Sequence, residues 1–241
     1  MGASGGRGIG LAIHSRFKVC RVLVTKFYSL ATDDPGQSFG LVGNNGAGKT
    51  TLTVNFATGL ERHGSVAILD ADPQRSSLQW RAMSARNNAL PVFDAVAGLT
   101  FKARQQANQY DYLLIDCPPS VEAQQTQEAL RLTDLALIPV QPSPLDLWAT
   151  VYIEREVEAA REKNPDLKAV LVINQLEPRT RLSRIIRQGL EELGLPAADT
   201  PIRRRVAYRS SALEGKSVHD LGSRGKDASE EILQLINEVI V

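Results

Sequence analysis

The segment Gly43–Thr51 constrains this chain more than any other, because it matches the pattern G-x-x-x-x-G-K-[ST] at every fixed position. Glycines in this pattern let the backbone turn its N–H groups inward around an anion. The preceding residues Ser38–Val42 predict a short strand, and Thr50–Arg62 predict a helix whose N-terminal dipole faces that anion. We therefore expect a loop between strand and helix that binds the phosphates of a nucleoside triphosphate.

Each part of this loop has an expected role. Gly46 and Gly48 supply the turns, Lys49 reaches the β and γ phosphate oxygens, and the Thr50 hydroxyl ligates Mg²⁺. The predicted nucleotide contacts in the loop are Gly43, Asn45, Gly46, Ala47, Gly48, Lys49, Thr50 and Thr51.

Two continuous apolar runs downstream, Ser65–Leu69 and Tyr112–Ile115, each end in an aspartate. Such runs are typical of strands buried in a parallel sheet, and ligands of open α/β sheets bind at the carboxyl ends of the strands. We predict that Asp116 holds Mg²⁺, with Asp70 as a further metal ligand, and that Asp72 orients or activates the attacking water. The alternative is that these aspartates only cap the helices that follow.

Three sequence blocks occur in an order that resembles the ParA/MinD branch of P-loop ATPases. They are Ala67–Gln74, Tyr110–Ser120 and Ile138–Ser143, and the resemblance covers roughly residues 38 to 241. The chain is most similar to short ParA-type proteins without an added DNA-binding domain, which partition plasmids or chromosomes or space cargo such as carboxysomes. The amino-acid sequence of the phosphate loop also resembles that of ABC-transporter ATPases. That family requires a glutamate after the aspartate at the end of this strand, and Asp116 is followed here by Cys117, which argues against it.

The resemblance implies a working cycle. Members bind ATP with Mg²⁺, form homodimers with two nucleotides sandwiched between the subunits, and bind double-stranded DNA non-specifically in that state. A ParB-like or cargo-adaptor partner then stimulates hydrolysis. By the same resemblance, Asn174 at the end of a predicted strand reads the adenine edge through its amide, whereas a structural cap of the strand is the alternative.

One position departs from the family pattern. The family's loop usually reads K-G-G-x-G-K-[ST], and its first lysine crosses the dimer interface to touch the partner's nucleotide. Asn44 and Asn45 stand here in place of that lysine and the glycine after it. A cation at such a position is worth about 10³–10⁵ in rate where it has been removed. We therefore expect slow hydrolysis, and a nucleotide-dependent binding switch with little or no hydrolysis is the alternative function.

Basic residues concentrate between Arg179 and Lys216, where nine arginines and lysines outnumber four acidic residues although the whole chain has a net charge of only +1. Such a face tracks a phosphate backbone without reading bases, so DNA binding would be independent of sequence. A solvated surface without a nucleic-acid partner is the alternative. The predicted DNA contacts are Arg184, Arg187, Arg203, Arg204, Arg205 and Arg209.

Composition bounds the remaining possibilities. The 241 residues suit one α/β domain, and the two cysteines provide no disulfide framework. With no apolar stretch of 18 residues and an acidic polar side on the amphipathic C-terminal segment, we expect no membrane partner and a cytoplasmic, nucleoid-associated protein. A metal-cluster scaffold of the related Mrp type is disfavoured because no Cys-x-x-Cys occurs. We expect a poorly defined leader over residues 1–36 and an ATPase domain over residues 37–241.

Strand and helix patterns alternate along the chain, which predicts a mostly parallel α/β sheet with helices on both faces, of the deviant-Walker P-loop type. The predicted strands are Val22–Thr25, Ser38–Val42, Val66–Asp70, Tyr112–Asp116, Leu135–Val140 and Ala169–Asn174. The predicted helices are Thr50–Arg62, Ser76–Asn87, Ser120–Leu132, Leu147–Lys163, Leu182–Leu193 and Ala228–Val239.

Overall fold

The computed structural model describes residues 36–85, 90–177, 189–190 and 193–240. Within them, six strands form one sheet in which every pairing is parallel, in the order β3-β2-β4-β1-β5-β6. The strands are β1 (Gln37–Leu41), β2 (Val66–Asp70), β3 (Val92–Asp94), β4 (Tyr112–Asp116), β5 (Leu135–Val140) and β6 (Lys168–Ile173).

Helices connect the strands and complete the chain. They are α1 (Lys49–Leu60), α2 (Ser76–Met83), α3 (Leu99–Ala107), α4 (Gln124–Leu132), α5 (Pro144–Arg161), α6 (Val206–Leu213) and α7 (Lys226–Ile240). A short 3-10 segment, Val218–Gly225, leads into α7. Because β1 lies between β4 and β5, the loop that follows β1 sits at the sheet position where open α/β folds bind ligands.

Two apolar cores cover the two faces of the sheet. Alternate residues of a strand point to opposite faces, so Val66 and Ile68 of β2 join one core and Leu69 joins the other. The first core includes residues of α1, α2, α6 and α7, and the second includes residues of α3, α4 and α5. The predicted architecture, a parallel sheet with helices on both faces, is confirmed.

The C-terminal helix α7 belongs to the first core. Ile232, Leu235 and Ile236 are fully buried there, and Leu233 and Val239 pack against it from partly buried positions. This packing accounts for the apolar side of the amphipathic pattern. None of the helices in the described part of the chain has the length and apolar character needed to cross a bilayer.

The strand predictions agree with the structure within one residue at each end. The helix predictions are less accurate, since α4 begins at Gln124 instead of Ser120 and α2 ends at Met83. Strand β3 and helices α3 and α6 were not predicted. The predicted strand Val22–Thr25 and most of the predicted helix Leu182–Leu193 lie outside the described residues.

Candidate nucleotide-binding site

The loop between β1 and α1 has the backbone conformation that the glycine pattern predicts. Gly46 and Gly48 adopt left-handed conformations with φ of 76° and 90°, and Gly48 is the N-cap of α1. A Cβ at Gly48 would lie 2.5 Å from the Asn174 Nδ2 atom. Glycine is therefore required at position 48 both by conformation and by the close approach of β6's end.

Lys49 folds back over this loop. Its Nζ donates to the carbonyl oxygens of Gly43 at 2.9 Å and Asn44 at 3.0 Å, and only 7% of the residue is exposed. Burial lowers the pKa of Lys49, while Asp116 and Asp72 nearby act in the opposite direction. A buried ammonium held in a loop of backbone dipoles is suited to meet an anionic ligand.

Asp116 ends β4 and is fully buried. Its Oδ2 accepts a hydrogen bond from the Ser77 hydroxyl at 2.8 Å, whereas its Oδ1 has no hydrogen-bond partner among the described residues. Burial raises the pKa of Asp116 to about 6, and the Ser77 and Thr50 hydroxyls act against this rise. A buried carboxylate oxygen without a partner, close to a threonine hydroxyl, is the donor set that Mg²⁺ prefers beside phosphate oxygens. The residues present therefore fit a Mg²⁺ ion.

Asp70, at the end of β2, accepts hydrogen bonds from two backbone N–H groups. Its Oδ1 accepts from the Asp72 N–H at 3.2 Å and its Oδ2 from the Leu78 N–H at 3.0 Å, so both oxygens brace the connection between β2 and α2. The predicted metal ligation by Asp70 stays a prediction. Asp72 is 8% exposed and accepts from the Gln74 N–H at 2.9 Å. Its role toward the attacking water stays a prediction.

A cavity of about 220 Å³ opens beside the start of α1. Asn174 lines it, but its amide is occupied by the protein: Nδ2 donates to the Ala47 carbonyl at 2.6 Å and Oδ1 accepts from the Gln175 N–H at 2.9 Å. The predicted contact of Asn174 with adenine stays a prediction. The other lining residues are Gly48, Thr51, Leu52, Gln175, Ile202, Arg203, Arg204, Arg205, Tyr208, Arg209 and Ala212.

The arginines that line this cavity differ in their ion pairs. Arg205 donates to Glu231 and Asp227, and Arg203 also lies 3.5 Å from the Glu231 carboxylate. Arg204 pairs with Glu177 at 2.7 Å on the surface. Arg205 lines the cavity with its charge paired, and its predicted contact with DNA stays a prediction. Arg184 and Arg187 lie outside the described residues.

Arg209 differs from the other arginines of the wall. Its side chain is exposed, and no ion pair joins it to an acidic residue within the described part of the chain. The predicted contact of Arg209 with DNA stays a prediction. Asn44 is half-buried and Asn45 exposed at the tip of the phosphate loop, and their place in a dimer stays a prediction.

Comparison with known proteins places this geometry in a family. The family described as the CobQ/CobB/MinD/ParA nucleotide binding domain matches residues 42–218, which is more than half of the chain. The chain belongs to this family. A second finding agrees: the chain is 42% identical over 202 residues to the maintenance of carboxysome distribution protein A of Halothiobacillus neapolitanus, covering 81% of this chain and 92% of that protein.

Solved structures of the ParA/MinD family share the fold. An ATP complex of a McdA variant from Cyanothece superposes with a TM-score of 0.66 at 14% identity, covering 86% of this chain and 98% of that chain. The MinD protein of Pyrococcus horikoshii, complexed with Mg-ADP, gives a TM-score of 0.65 at 18% identity, covering 85% and 96%. At these identities the likeness establishes the ParA/MinD fold and leaves the chemistry to the residues of this chain.

Proposed function

We propose that this protein is an ATPase that uses a nucleotide-controlled cycle to position a cargo, with carboxysomes as the first candidate. Support for the cargo comes from the relative named for maintenance of carboxysome distribution, because the aligned segment covers 92% of that protein at 42% identity. Support for the nucleotide comes from the family match and from the site described above.

The observation that carries the nucleotide proposal is the buried Asp116 carboxylate. It is fully buried with one oxygen unpartnered, beside the Thr50 hydroxyl and the buried ammonium of Lys49. A buried carboxylate oxygen that lacks a hydrogen bond is costly to keep in a fold unless a ligand uses it. Mg²⁺ held by Thr50 and Asp116 would neutralise charge on the phosphate oxygens.

Other residues of the chain bind the phosphates, orient the attacking water and hold the base and ribose. Lys49 meets the β and γ phosphate oxygens, and the loop's N–H groups at the start of α1 face the same anion. Asp72, which is mostly buried and stands just beyond the carboxyl end of β2, orients the attacking water. The cavity beside α1 takes the base and ribose, with Ile202 and Tyr208 supplying apolar surface.

The proposed cycle also includes an ATP-dependent homodimer, non-specific binding of double-stranded DNA, and an adaptor protein of the ParB or cargo type that stimulates hydrolysis. Arg203, Arg204 and Arg209 are exposed and line the cavity. Arg209 is the best placed of the three to meet a phosphate backbone, since no ion pair within the described residues involves it, whereas Arg203 and Arg204 pair with Glu231 and Glu177. This scheme places the protein in the cytoplasm on the nucleoid.

A second candidate function is a binding switch that loads ATP without useful hydrolysis. Asn44 favours it, because a neutral amide stands where the family's loop usually carries a lysine. The two candidates share one site and differ in the rate of phosphate release.

Phosphate release with Mg-ATP, measured alone and with duplex DNA, tests the proposal. Wild-type turnover that Lys49→Ala abolishes supports the ATPase, and DNA retention with ATP but not ADP supports the cargo cycle. ATP binding without phosphate release would favour the switch. Absence of both ATP binding and ATP-dependent DNA retention would contradict the proposed function.

A further inference from the structure

Three side-chain amides at the ends of β5 and β6 converge on the phosphate loop. Gln141 Nε2 donates to the Gly46 carbonyl at 2.5 Å, and Gln175 Nε2 donates to the same oxygen at 3.0 Å. Asn174 Nδ2 donates to the next carbonyl, that of Ala47, at 2.6 Å. Gln141, Asn174 and Gln175 are called the amide cluster below.

Because the peptide bond is planar, these contacts to carbonyl oxygens also fix the directions of the N–H groups that follow them in the loop. In a planar trans peptide the C=O and the following N–H point in opposite directions. A donor that holds the Gly46 carbonyl therefore fixes the direction of the Ala47 N–H, and a donor on the Ala47 carbonyl fixes the direction of the Gly48 N–H. Both N–H groups belong to the loop that meets the phosphates in the proposed function, where the Ala47 N–H also donates to the Asn44 carbonyl at 3.3 Å.

The cluster is itself held in place. Asn174 accepts from the Gln175 N–H at 2.9 Å, so its amide is anchored at both ends. Gln175 adopts a left-handed conformation with φ of 56°, which is unfavourable for a residue other than glycine. Glycine would adopt this conformation without strain, but it would lack the side-chain amide that contacts Gly46.

We propose that the amide cluster orients the peptide planes of the phosphate loop, so that Gln141 and Gln175 are positioning residues for the phosphates. This inference rests on the proposed function and adds residues that the loop motif does not contain. Gln141 and Gln175 act through the backbone of Gly46, so they set affinity for the phosphate chain regardless of the base attached to it.

The double variant Gln141→Leu with Gln175→Asn tests the inference. Leucine keeps the size of residue 141 without a donor, and asparagine shortens residue 175 while tolerating the left-handed conformation. Gln109→Leu is the matched control, because among the described residues the Gln109 amide donates to the Gln105 carbonyl at the end of α3 and does not contact the phosphate loop. Titrations use ATP, GTP and inorganic tripolyphosphate, and thermal unfolding without ligand monitors the fold.

We expect the double variant to lose about tenfold in affinity for both ATP and tripolyphosphate, with the ratio of ATP to GTP affinity unchanged. The Gln109→Leu control should match wild type. Unchanged affinity for both ligands would overturn the inference, and so would a loss confined to ATP, which would assign the amides to the base. If the double variant melts early, Gln175→Asn alone leaves only Gln141 on the Gly46 carbonyl, and it should lose less than tenfold in affinity, equally for ATP and tripolyphosphate. Failure of the wild type to bind either ligand would overturn the proposed function as well.

Discussion

Arg205 and Glu231 form a sheltered ion pair between the wall of the cavity and the C-terminal helix. The Arg205 Nη2 lies 2.7 Å from the Glu231 Oε1, and the two side chains are 24% and 11% exposed. Glu231 also accepts from the Arg203 N–H at 3.2 Å, which ties the chain just before α6 to α7. Removing Arg205 would leave the mostly buried Glu231 carboxylate with only the more exposed Arg203 as a nearby opposite charge.

We therefore expect Arg205→Ala to reduce the free energy of unfolding by about 1–3 kcal/mol, while Arg209→Ala changes it by less than about 0.5 kcal/mol. For DNA binding in the presence of ATP the order should reverse, because Arg209 is exposed without an ion-pair partner among the described residues. Each lost phosphate contact should lower the slope of log affinity against log salt by roughly 0.9. Urea unfolding and salt titrations measure both effects; an unchanged slope for Arg209→Ala would favour a merely solvated face.

Asp116→Asn should affect stability and ligand response in opposite directions. An amide removes a buried charge, so the nucleotide-free protein should unfold at a higher temperature, with a gain on the order of 1–3 kcal/mol. The added stability that Mg-ATP gives the wild type should disappear. Thermal unfolding with and without Mg-ATP measures both quantities, and a variant that is destabilised yet still stabilised by Mg-ATP would point to a purely structural aspartate.

The asparagines at the tip of the loop lead to a gain-of-function prediction. If Asn44 occupies the place of the family's interface lysine, Asn44→Lys combined with Asn45→Gly should strengthen the ATP-dependent dimer and speed hydrolysis. A charge-assisted contact is worth about 1.5–3 kcal/mol, or roughly ten- to a hundredfold in dimer affinity. Sedimentation with a slowly hydrolysed ATP analogue, with Asn45→Gly alone as control, provides the test. Unchanged dimerisation and turnover would mean that position 44 does not reach the partner's nucleotide.

His219 makes the fold sensitive to mild acid. Its Nε2 lies 3.0 Å from the Asn55 carbonyl, which only a protonated Nε2 can contact as a donor, and its Nδ1 lies 2.6 Å from the Ser229 hydroxyl. Burial lowers the pKa of His219 in the folded state. The unfolded chain therefore binds the proton more readily, so stability is present above pH 6.5 and is lost as pH falls through the lowered pKa. The difference in unfolding free energy between wild type and His219→Gln should shrink from pH 7.5 to pH 5; a constant difference would contradict this.

The sequence predicted the elements whose patterns are long or unambiguous. Strands β2, β4 and β5 are continuous apolar runs and were located to the residue. Strand β3 has only three residues, all partly exposed, which leaves little pattern to detect. Helix α6 exposes Val206 and Leu213, so its apolar residues do not mark its buried face.

The part of the site that lies in one short stretch of sequence was predictable, whereas the part that depends on contacts between distant residues was not. The phosphate loop could be read from nine consecutive residues. Gln141 and Gln175 contact Gly46 from 95 and 129 residues away, and no local pattern encodes such a contact. The pairing of Arg205 with Glu231 spans two elements in the same way, and counting charges along the sequence does not reveal it.

Equilibrium binding of a fluorescent ATP analogue to wild type and Lys49→Ala tests directly whether the loop Gly43–Thr51 is the nucleotide site. Lys49 is buried against the loop carbonyls, and its ammonium is the cation placed to meet the triphosphate. Losing a charge-assisted contact with a buried anion should weaken binding by about a hundredfold or more. We expect tight, Mg²⁺-dependent binding by the wild type and none detectable for Lys49→Ala at the same concentrations. Equal affinities would contradict the assignment of this loop as the nucleotide site.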